Sequence, residues 1–489
     1  MKLNTLLERM NYEIIQGDPN PEIGRLIYDS RKLKEGDLFV CVSGANFDAH
    51  EHAAVAAQKK VAAVVIEHDI DLAAMGKTTV VRVDDTREAL AELSAAYFSH
   101  PAEKLITIGV TGTKGKTSTT YMIRDILEGV GVRTGLIGTI ETIIGEKRTP
   151  NTNTTPESYL IQEAMDQMVR AGTRAMVMEV SSQGLMLHRV GGFTFDYGIF
   201  TNLSPDHIGP NEHKDFEDYK RCKKLLFSQC WKGIFNIDDP YAAEMMEGAS
   251  CETETFGVRE DADYRAVEIS LFQEQGRLGT AYRVSGKANF PVRVDVPGSF
   301  SVHNSLAAIA VCLHFTDNVK RIQDALANIA VKGRVEIIPV REEYTVMIDY
   351  AHNAVALESL LKTIREYEPK RIVTLFGCGG NRDRNRRFEM GEVSAELSDL
   401  TVVTSDNPRY EDPEAIIADI ITGVEKGNGP YIKITDRREA IRYVLEHGEP
   451  GDVIILAGKG HEDYQEIEGK KYPMDERVII REIKQSWEK

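Results

Sequence analysis

Long apolar runs, paired cysteines and an excess of positive charge are all missing from this sequence of 489 residues. No window approaches about 18 consecutive apolar residues, so we expect no membrane-spanning helix. The six cysteines contain no CxxC pair, which excludes the usual zinc-ligand spacing and argues against a disulfide framework. A formal net charge of −17 argues against nucleic acid and anionic membranes as partners, because both require a positive field.

The N-terminal segment lacks the features of a secretory signal. Residues 1–15 carry charges inside their apolar pattern and contain no small-residue cleavage site. We therefore expect an amphipathic helix there, and reduced cysteines in a cytoplasmic protein. Internal repeats and low-complexity tracts are absent as well.

The length and the order of the apolar runs indicate an α/β protein of about three domains. Short apolar runs alternate with helix-like segments up to a break at residues 99–101, and the same rhythm continues beyond it. A glutamate-rich stretch at 253–296 is typical of an antiparallel edge, and the segment 332–339 closes the second domain. The predicted domains are residues 1–100, 101–336 and 337–489.

Apolar runs repeatedly end in a cluster of glycine or polar residues, as expected of strands that deliver side chains to a site. Six such clusters begin at Gly109, Glu179, Asp349, Gly377, Asp406 and Gly458. Ligands of open α/β sheets bind outside the carboxyl ends of the strands. We therefore expect one broad site shared between the second and third domains.

The segment GTKGKTS lies between a predicted strand, LITIGV, and a predicted helix. Glycines let backbone N–H groups turn toward phosphate oxygens, the helix start favours negative charge, and a lysine adds a point charge. A hydroxyl after that lysine can bind magnesium. The strict spacing would need glycine at Val110, so the alternative is a strand-to-helix turn with chance glycines. The predicted phosphate loop consists of Gly112, Thr113, Lys114, Gly115, Lys116, Thr117 and Ser118.

Four other features have both a functional and an ordinary interpretation. Glu179 ends an apolar strand, where its carboxylate is either a magnesium ligand or solvated. His207 is a metal or phosphate contact, or a loop residue. The spacing around Lys223 by itself predicts an exposed lysine on an amphipathic helix. The arginines of residues 381–387 follow a glycine turn, where they either bind carboxylates or phosphates or are solvated.

Taken together, the motifs resemble the Mur ligase family over nearly the whole chain. In family order they are GTKGKTS, TNTTPES, MEVSSQGLMLHR, TNLSPDH, YKRCKKLLF, SVHNSLAA, KGR, DYAHN, FGCGGNRD, SDNPR and AGKGHEDYQ. The resemblance implies three domains, with a central phosphate-loop ATPase domain on a parallel sheet and a C-terminal Rossmann-like domain. Three departures are Lys114, where the family usually has asparagine, Leu187, where a glutamine often contacts substrate, and the segment IGPNEHKDFE after His207, where the family usually continues with tyrosine and histidine.

The resemblance also implies roles for particular residues. The nucleotide would contact the loop residues together with Asn304, Arg334 and Asp349. Catalysis would depend on Lys116, Glu179, His207 and a carbamylated Lys223. The metal ligands would be Thr117, Glu179, His207 and Lys223. The UDP-sugar dipeptide would be held by Ser30, Thr154, Thr155, Ser181 and Arg189. The incoming amino acid would be held by Arg382, Asp406, Asn407, Pro408, Arg409, Gly458 and Glu462.

The segments DSRKLKEGDLFVC and AGKGHEDYQ are similar to the family members that add a third residue to the cell-wall peptide. We therefore expect ATP- and Mg²⁺-dependent addition of meso-diaminopimelate to UDP-MurNAc-L-Ala-D-Glu, a step in peptidoglycan synthesis that supports cell shape and division. The expected enzyme is a cytoplasmic monomer acting on small molecules. The alternatives are a lysine-adding relative, a ligase like folylpolyglutamate synthetase, or a regulatory nucleotide-binding module without catalysis.

Overall fold

Short buried strands alternate with helices along most of the chain, as the apolar runs predict. The computed structural model describes residues 1–44, 47–209, 212–274 and 276–487. Residues 45, 46, 210, 211, 275, 488 and 489, which fall within the three predicted domains, lie outside the described part. The chain divides into a first unit of Met1–Asp263 and Ala307–Asn318 and a second unit of Tyr264–Leu306 and Val319–Lys489.

The N-terminal part of the first unit is built on a five-stranded sheet. Its elements are α1 (Leu3–Leu6), β1 (Glu13–Gln16), β2 (Leu26–Ile27), β3 (Leu38–Val40), β4 (Ser43–Gly44), β5 (Phe47–Asp48), α2 (Ala53–Gln58), β6 (Ala63–Ile66), β7 (Thr79–Arg82) and α3 (Thr86–Tyr97). The sheet order is β1-β7-β6-β3-β2, with β1 antiparallel to β7 and the other neighbours parallel. The Asp85 side chain caps α3 by accepting the N–H groups of Arg87 and Glu88, which fixes where that helix begins.

The expected N-terminal helix over residues 1–15 is wrong for most of its length. The helix ends at Leu6 after burying Leu3 and Leu6, and Glu13–Gln16 forms β1 instead. Pairing of β1 with β7 outweighs the local helical pattern, because tertiary pairing routinely overrides intrinsic propensity.

The rest of the first unit carries a mostly parallel sheet. Its elements are β8 (Ile106–Thr111), α4 (Lys116–Gly129), β9 (Thr134–Ile137), β10 (Glu141–Ile144), β11 (Lys147–Pro150), α5 (Ser158–Arg170), β12 (Ala175–Glu179), α6 (Ser182–Met186), β13 (Phe195–Phe200), α7 (Phe216–Lys224), β14 (Cys230–Asn236), α8 (Ala242–Met246) and β15 (Glu252–Gly257). Within this unit the strand order is β11-β10-β9-β12-β8-β13-β14-β15. Every residue of β9 and β12 is buried, as expected for parallel strands covered on both faces.

The second unit combines an antiparallel piece with another parallel sheet. Its elements are β16 (Tyr264–Glu274), β17 (Arg277–Gly286), β18 (Phe290–Val294), α9 (Ser299–Cys312, which continues into the first unit), α10 (Val319–Leu326), β19 (Glu336–Ile338), β20 (Thr345–Asp349), α11 (Ala354–Arg365), β21 (Arg371–Phe376), α12 (Asn385–Leu397), β22 (Leu400–Val403), α13 (Pro413–Lys426), β23 (Tyr431–Lys433), α14 (Arg437–Glu446), β24 (Asp452–Ala457), β25 (Tyr464–Ile467), β26 (Lys470–Pro473) and α15 (Glu476–Trp487). The antiparallel strands β16, β17 and β18 confirm most of the antiparallel stretch predicted at 253–296, but its first residues belong to β15, which is parallel to β14. The larger sheet has the order β19-β20-β24-β21-β22-β23, parallel except at β19.

Each parallel sheet is surrounded by its own buried apolar core. Val177, Met178 and Phe200 are among the core residues around the central sheet, while Val373 and Leu456 belong to the core of the second unit. All six cysteines carry free thiols, in agreement with the absence of paired spacing. In the described part of the chain, no helix is both long and apolar enough to cross a membrane.

Candidate active site

The glycine loop joins β8 to α4 and is held by the segment that follows β13. Gly112 has φ +152°, and a Cβ there would lie 1.9 Å from the Thr201 hydroxyl, so a larger residue does not fit. Asn202 accepts the N–H of Thr113 on its carbonyl at 2.9 Å and that of Lys114 on its side-chain oxygen at 2.8 Å. Asn202 was missed from the sequence, although it follows a strand end like the residues that were selected.

Val110 departs from the strict loop spacing because it is part of the strand. It is fully buried in β8 and pairs with both Glu179 and Ile199 on the neighbouring strands. The turn therefore begins at Gly112. The predicted strand, loop and helix are confirmed.

Two lysines converge on one carbonyl of this loop. Lys116 Nζ donates to the Gly112 carbonyl oxygen at 2.8 Å, and Lys223 Nζ donates to the same oxygen at 2.9 Å. Lys223 is only 1% exposed, so the exposed-lysine prediction from spacing is wrong. Burial, with the nearby charge of Lys116 as the second cause, lowers the pKa of the Lys223 amine well below its usual range.

Glu179 is the buried carboxylate beside the loop, so the solvated alternative is wrong. Its register opposite Val110 brings it to Thr117, whose hydroxyl donates to Glu179 Oε2 at 2.9 Å. Thr139 donates twice to the same carboxylate, from its N–H at 2.8 Å and from its hydroxyl at 2.9 Å. Thr139 was not selected from the sequence, although it too follows a strand end, that of β9.

A cavity of about 240 Å³ opens beside these residues. It brings the loop lysine and Lys223 together with residues predicted to hold the peptide. Its lining is formed by Lys116, Thr152, Asn153, Thr154, Thr155, Ser181, Ser182, Gln183, Arg189, His207 and Lys223. Basic side chains therefore face a polar wall of hydroxyls and amides, which suits an anionic, hydrogen-bonding ligand.

The wall of this cavity is fixed by short hydrogen bonds. The Thr155 hydroxyl donates to the Glu179 carbonyl at 3.0 Å and accepts the N–H of Ser181 at 3.0 Å. Arg189 donates to the Thr155 carbonyl at 3.1 Å and pairs with Glu157 at 2.8 Å. The structure thus joins Thr155 to Ser181 and Arg189, which lie 26 and 34 positions further along the chain, in one surface.

Two predicted residues of the first unit are less enclosed. His207 lines the cavity but is exposed, with a φ of +54° and its Nδ1 3.0 Å from Glu212 Oε1. Ser30 opens a short 3-10 helix after β2, where Asp29 accepts the N–H of Arg31. Ser30 is not among the residues that line the cavity.

In the second unit, the strand ends of β22 and β24 meet around Lys459. This lysine is 0% exposed and donates to Asn407 Oδ1 at 2.8 Å and to Glu462 Oε2 at 3.1 Å. Asp406 Oδ1 lies 3.6 Å from its Nζ, and Asn407 also donates to Glu462 at 2.9 Å. Lys459 was missed, although it is the cation within the predicted Gly458-to-Glu462 cluster.

Arg409 lies beside this cluster at the end of the DNPR motif. Its Nε pairs with Glu466 at 3.1 Å and one terminal nitrogen donates to the Gly380 carbonyl at 2.8 Å. A Cβ at Gly380 would lie 2.0 Å from the Pro408 carbonyl oxygen, so the two strand ends approach too closely for any other residue. Arg382 is exposed on the same turn.

Two of the three other arginines of the 381–387 run form ion pairs with acidic residues in α13 and just before it. Arg384 pairs with Asp419 at 2.7 Å, and Arg387 pairs with both Asp419 at 3.1 Å and Glu411 at 2.8 Å. These two arginines anchor the start of α12. The functional interpretation is therefore restricted to Arg382 and Arg386.

The three residues predicted to contact the nucleotide from beyond the loop lie in the second unit. Asp349 accepts the N–H groups of Val335 at 2.8 Å and Ala351 at 2.7 Å, and burial raises the pKa of its carboxyl. Arg334 lies 5.1 Å from the Tyr350 ring centre. Asn304 is buried in α9.

A parallel sheet with a phosphate loop, a loop lysine and a strand-end carboxylate defines a P-loop nucleotide-binding enzyme. Three family models match this chain in order: "Mur ligase family, catalytic domain" at residues 22–98, "Mur ligase middle domain" at 110–312 and "Mur ligase, glutamate ligase domain" at 333–460. The chain belongs to the Mur ligase family. It is an ATP-dependent, amide-forming ligase with a central P-loop domain and a C-terminal Rossmann-like domain.

Relatives align with the chain from end to end. A protein of Caldanaerobacter subterraneus subsp. tengcongensis is 42% identical over 485 residues, covering 99% of both chains. One of Clostridium perfringens is 38% identical over 490 residues, again with 99% of each covered. Both are named UDP-N-acetylmuramoyl-L-alanyl-D-glutamate–2,6-diaminopimelate ligase.

Solved structures agree on the fold. A structure of a UDP-N-acetylmuramoyl-L-alanyl-D-glutamate–2,6-diaminopimelate ligase has a TM-score of 0.72 at 28% identity, covering 96% of each chain. A Mycobacterium tuberculosis folylpolyglutamate synthase complexed with ADP and AMPPCP has a TM-score of 0.57 at 17% identity, covering 76% of this chain and 92% of that one. At that identity the second likeness concerns the fold alone.

Proposed function

We propose that this chain uses ATP to join meso-diaminopimelate to UDP-MurNAc-L-Ala-D-Glu, in the synthesis of peptidoglycan precursors. The observation that carries the proposal is the cavity in which Lys116 and Lys223 face Thr155, Ser181 and Arg189. One end offers cations to phosphates and the other offers fixed donors to a peptide carboxylate. The names of full-length relatives at 38–42% identity support the choice of substrates.

In the first step, the glutamyl carboxylate attacks the γ-phosphoryl group of ATP and gives an acyl phosphate and ADP. Lys116 leaves its loop carbonyls to donate to the transferring phosphoryl oxygens, while the backbone N–H groups of the loop hold the other phosphates. Arg189 and Ser181 hold the peptide so that the carboxylate meets the phosphorus in line. In the second step, the amine of the incoming amino acid displaces phosphate through a tetrahedral intermediate.

A magnesium site beside the loop is part of the proposal. The donor set suits a hard cation, because Glu179 supplies a buried carboxylate and Thr117 a hydroxyl that already lie 2.9 Å apart. His207, at the cavity edge, and carbamylated Lys223 would complete the ligands. When bound, magnesium would neutralise negative charge on the transferring phosphoryl group.

The surroundings of Lys223 support its proposed carbamylation. Its buried amine shares the Gly112 carbonyl with Lys116, so an ammonium there would face a like charge in a site that excludes water. A neutral amine adds to carbon dioxide and loses a proton, which gives a carbamate anion. That product would replace a repulsive contact with Lys116 by an attractive one.

The second unit is proposed to bind the amino acid. Lys459 fixes Asn407 and Glu462, which leaves the Glu462 carboxylate placed to accept the distal ammonium group. Arg409 and exposed Arg382 would pair with the distal carboxylate, a group that is costly to bury without a cation. Asn304, Arg334 and Asp349 would contact the nucleotide, and Gly458 and Pro408 would shape the backbone around the ligand.

The wider assignments rest on the same proposal. Residues 1–100 would bind the UDP-sugar through Ser30, residues 101–336 would bind ATP, and residues 337–489 would bind the amino acid. We also propose a cytoplasmic monomer that binds neither nucleic acid nor membranes, in keeping with its net charge of −17.

Phosphate release tests the function directly. The protein is incubated with ATP and UDP-MurNAc-L-Ala-D-Glu, and meso-diaminopimelate, L-lysine or L-glutamate is added in separate reactions. We expect stoichiometric phosphate and a tripeptide product, identified by mass, with diaminopimelate. Product with lysine instead would favour the lysine-adding relative. Absence of product with every amino acid would contradict the proposal.

A further inference from the structure

A buried hydrogen-bond chain that none of the proposed roles uses ends in the cavity. Ser182 lines the cavity, and its Oγ lies 2.8 Å from Nε2 of His213. The other ring nitrogen of His213 lies 3.1 Å from Asp218 Oδ2. His213 is 0% exposed, so this arrangement is part of the folded interior and not a surface contact.

The two partners of Asp218 fix which way each proton points. Arg221 donates to Asp218 Oδ1 at 2.7 Å, and together with His213 it keeps the pKa of the Asp218 carboxyl below its usual value. An ionised carboxylate only accepts hydrogen bonds, so Nδ1 of His213 carries a proton and donates to Asp218. In that tautomer of the imidazole, Nε2 accepts the Ser182 hydroxyl proton.

The consequence for the cavity is a hydrogen-bond acceptor held in place beside its cationic side chains. Lys116, Arg189 and Lys223 are donors. The Ser181 oxygen already accepts the Gly184 N–H at 3.0 Å as the cap of α6. Ser182 Oγ, with its proton committed to His213, presents lone pairs to the cavity. It is an acceptor in a cavity that also contains three cationic donors.

We propose that Ser182 binds an N–H group of the substrate's peptide portion, and that His213 and Asp218 are positioning residues that hold it as an acceptor. This inference rests on the proposed function, since the neighbouring Thr155, Ser181 and Arg189 are the residues assigned there to the peptide. A peptide carries amide N–H donors that no phosphate or carboxylate offers. A site built for such a donor loses affinity when its acceptor is removed or reversed.

The sharpest variant is Asp218→Asn, which changes one oxygen to an NH2 group and no volume. Because Arg221 requires an acceptor on its side, the amide oxygen stays there and the NH2 group faces His213. That moves the histidine proton to Nε2, which then donates to Ser182 and turns the hydroxyl proton into the cavity. In this variant the Ser182 hydroxyl changes from an acceptor to a donor, while no side chain is removed and no packing volume is lost.

We expect Ser182→Ala and Asp218→Asn each to raise the KM for UDP-MurNAc-L-Ala-D-Glu by roughly tenfold, the worth of about one hydrogen bond. The KM for ATP and the thermal midpoint should change little. The double variant should be no worse than either single variant, because both remove the same interaction. Glu217→Gln is the matched control, since Glu217 lies next to Asp218 on the exposed face of α7, and this variant should behave like the wild type.

Affinity for the UDP-dipeptide, measured by calorimetry without ATP, separates this inference from the proposed function. Wild-type protein that binds the dipeptide but does not ligate it would refute the function. The inference would then be tested by the ratio of the variant and wild-type dissociation constants for the dipeptide. Unchanged dipeptide affinity in both variants would overturn the inference. It would also be overturned if the losses of dipeptide affinity added up in the double variant, or if affinity for ATP fell as much as affinity for the dipeptide. Wild-type protein that does not bind the dipeptide would overturn both.

Discussion

Lys223 Nζ donates a 2.9 Å hydrogen bond to the carbonyl oxygen of Gly112. The bond spans 111 positions of sequence and brings a helix lysine onto the first glycine of the phosphate loop. Lys116 donates to the same oxygen, so both amines lie where the phosphates of a nucleotide are expected.

Lys116→Ala should lower the turnover rate of ligation about a hundredfold to a thousandfold, which is the usual cost of losing one hydrogen-bond donor to a transition state. The side chain donates to the loop carbonyls of Gly112 and Thr113, so circular dichroism and the thermal midpoint should be nearly unchanged. Steady-state turnover is the measurement, with the exposed Lys77→Ala as control. Near-normal turnover by a folded Lys116→Ala protein would remove the phosphate-loop assignment.

Lys223→Ala should be almost inactive yet regain part of its activity with added formate or acetate. A short carboxylate can occupy the space and supply the negative charge that the carbamate provides. Intact-protein mass spectrometry under carbon dioxide should detect one added carbon dioxide on the wild type and none on the variant. An unmodified amine in fully active enzyme would contradict the assignment.

Arg409→Ala should erase most of the preference for meso-diaminopimelate over L-lysine, which we expect to be several orders of magnitude in kcat/KM for the wild type. The two amino acids differ by one distal carboxylate, and the guanidinium can hold it in two bonds. Arg409→Lys is the matched control, since it keeps the charge but not the planar fork, and should retain part of the preference. A wild-type enzyme that accepts both amino acids equally would refute this role.

Stability should fall as pH drops below about 6.5, in part because of His461. Burial, followed by the nearby charges of Arg334, Lys332 and Arg477, lowers the pKa of its imidazole to about 4. An unfolded histidine titrates near 6.5, so between those values only the unfolded chain takes up the proton. The stabilisation is therefore complete above about pH 6.5 and is lost as pH falls toward 4.

Urea denaturation at about pH 7 and about pH 5 gives the free energy of unfolding at each pH, and the difference between the two values measures this effect. His461→Gln should narrow the difference between the two pH values, whereas the same change at exposed His447 should leave it as in the wild type. An equal pH dependence in wild type and His461→Gln would show that other groups are responsible.

Several parts of the site could be predicted because they depend on local pattern. The strand before the loop, the glycines at Gly112 and Gly115, and the helix after them are read directly from apolar runs and backbone requirements. The same pattern singled out Glu179 as the charged residue that ends an apolar strand, but it left open whether the carboxylate binds magnesium or is solvated. Asn202 and Thr139 obey the same strand-end rule and could have been found by applying it to every strand.

The burial of Lys223 could be recognised only in the tertiary structure, because residue spacing describes a helix face but not what packs against it. Tyr219 and Lys223 lie one turn apart on α7 and are both buried, whereas Arg221 on the same helix is exposed. The amphipathic pattern predicted an inner and an outer face of this helix, and a charged lysine would ordinarily be assigned to the outer face. Only packing of α7 against the loop decides that this amine faces Gly112.

By itself, the sequence determined the alternating strands and helices, the phosphate loop and the polar clusters at strand ends, since these follow from local backbone preferences and apolar periodicity. The tertiary structure decided which groups share one oxygen or one proton. Lys459 at the centre of the second unit's strand ends and the Ser182–His213–Asp218 chain join residues from separate elements. Such contacts depend on how sheets and helices pack at distances of a few ångströms, and no one-dimensional spacing encodes that packing.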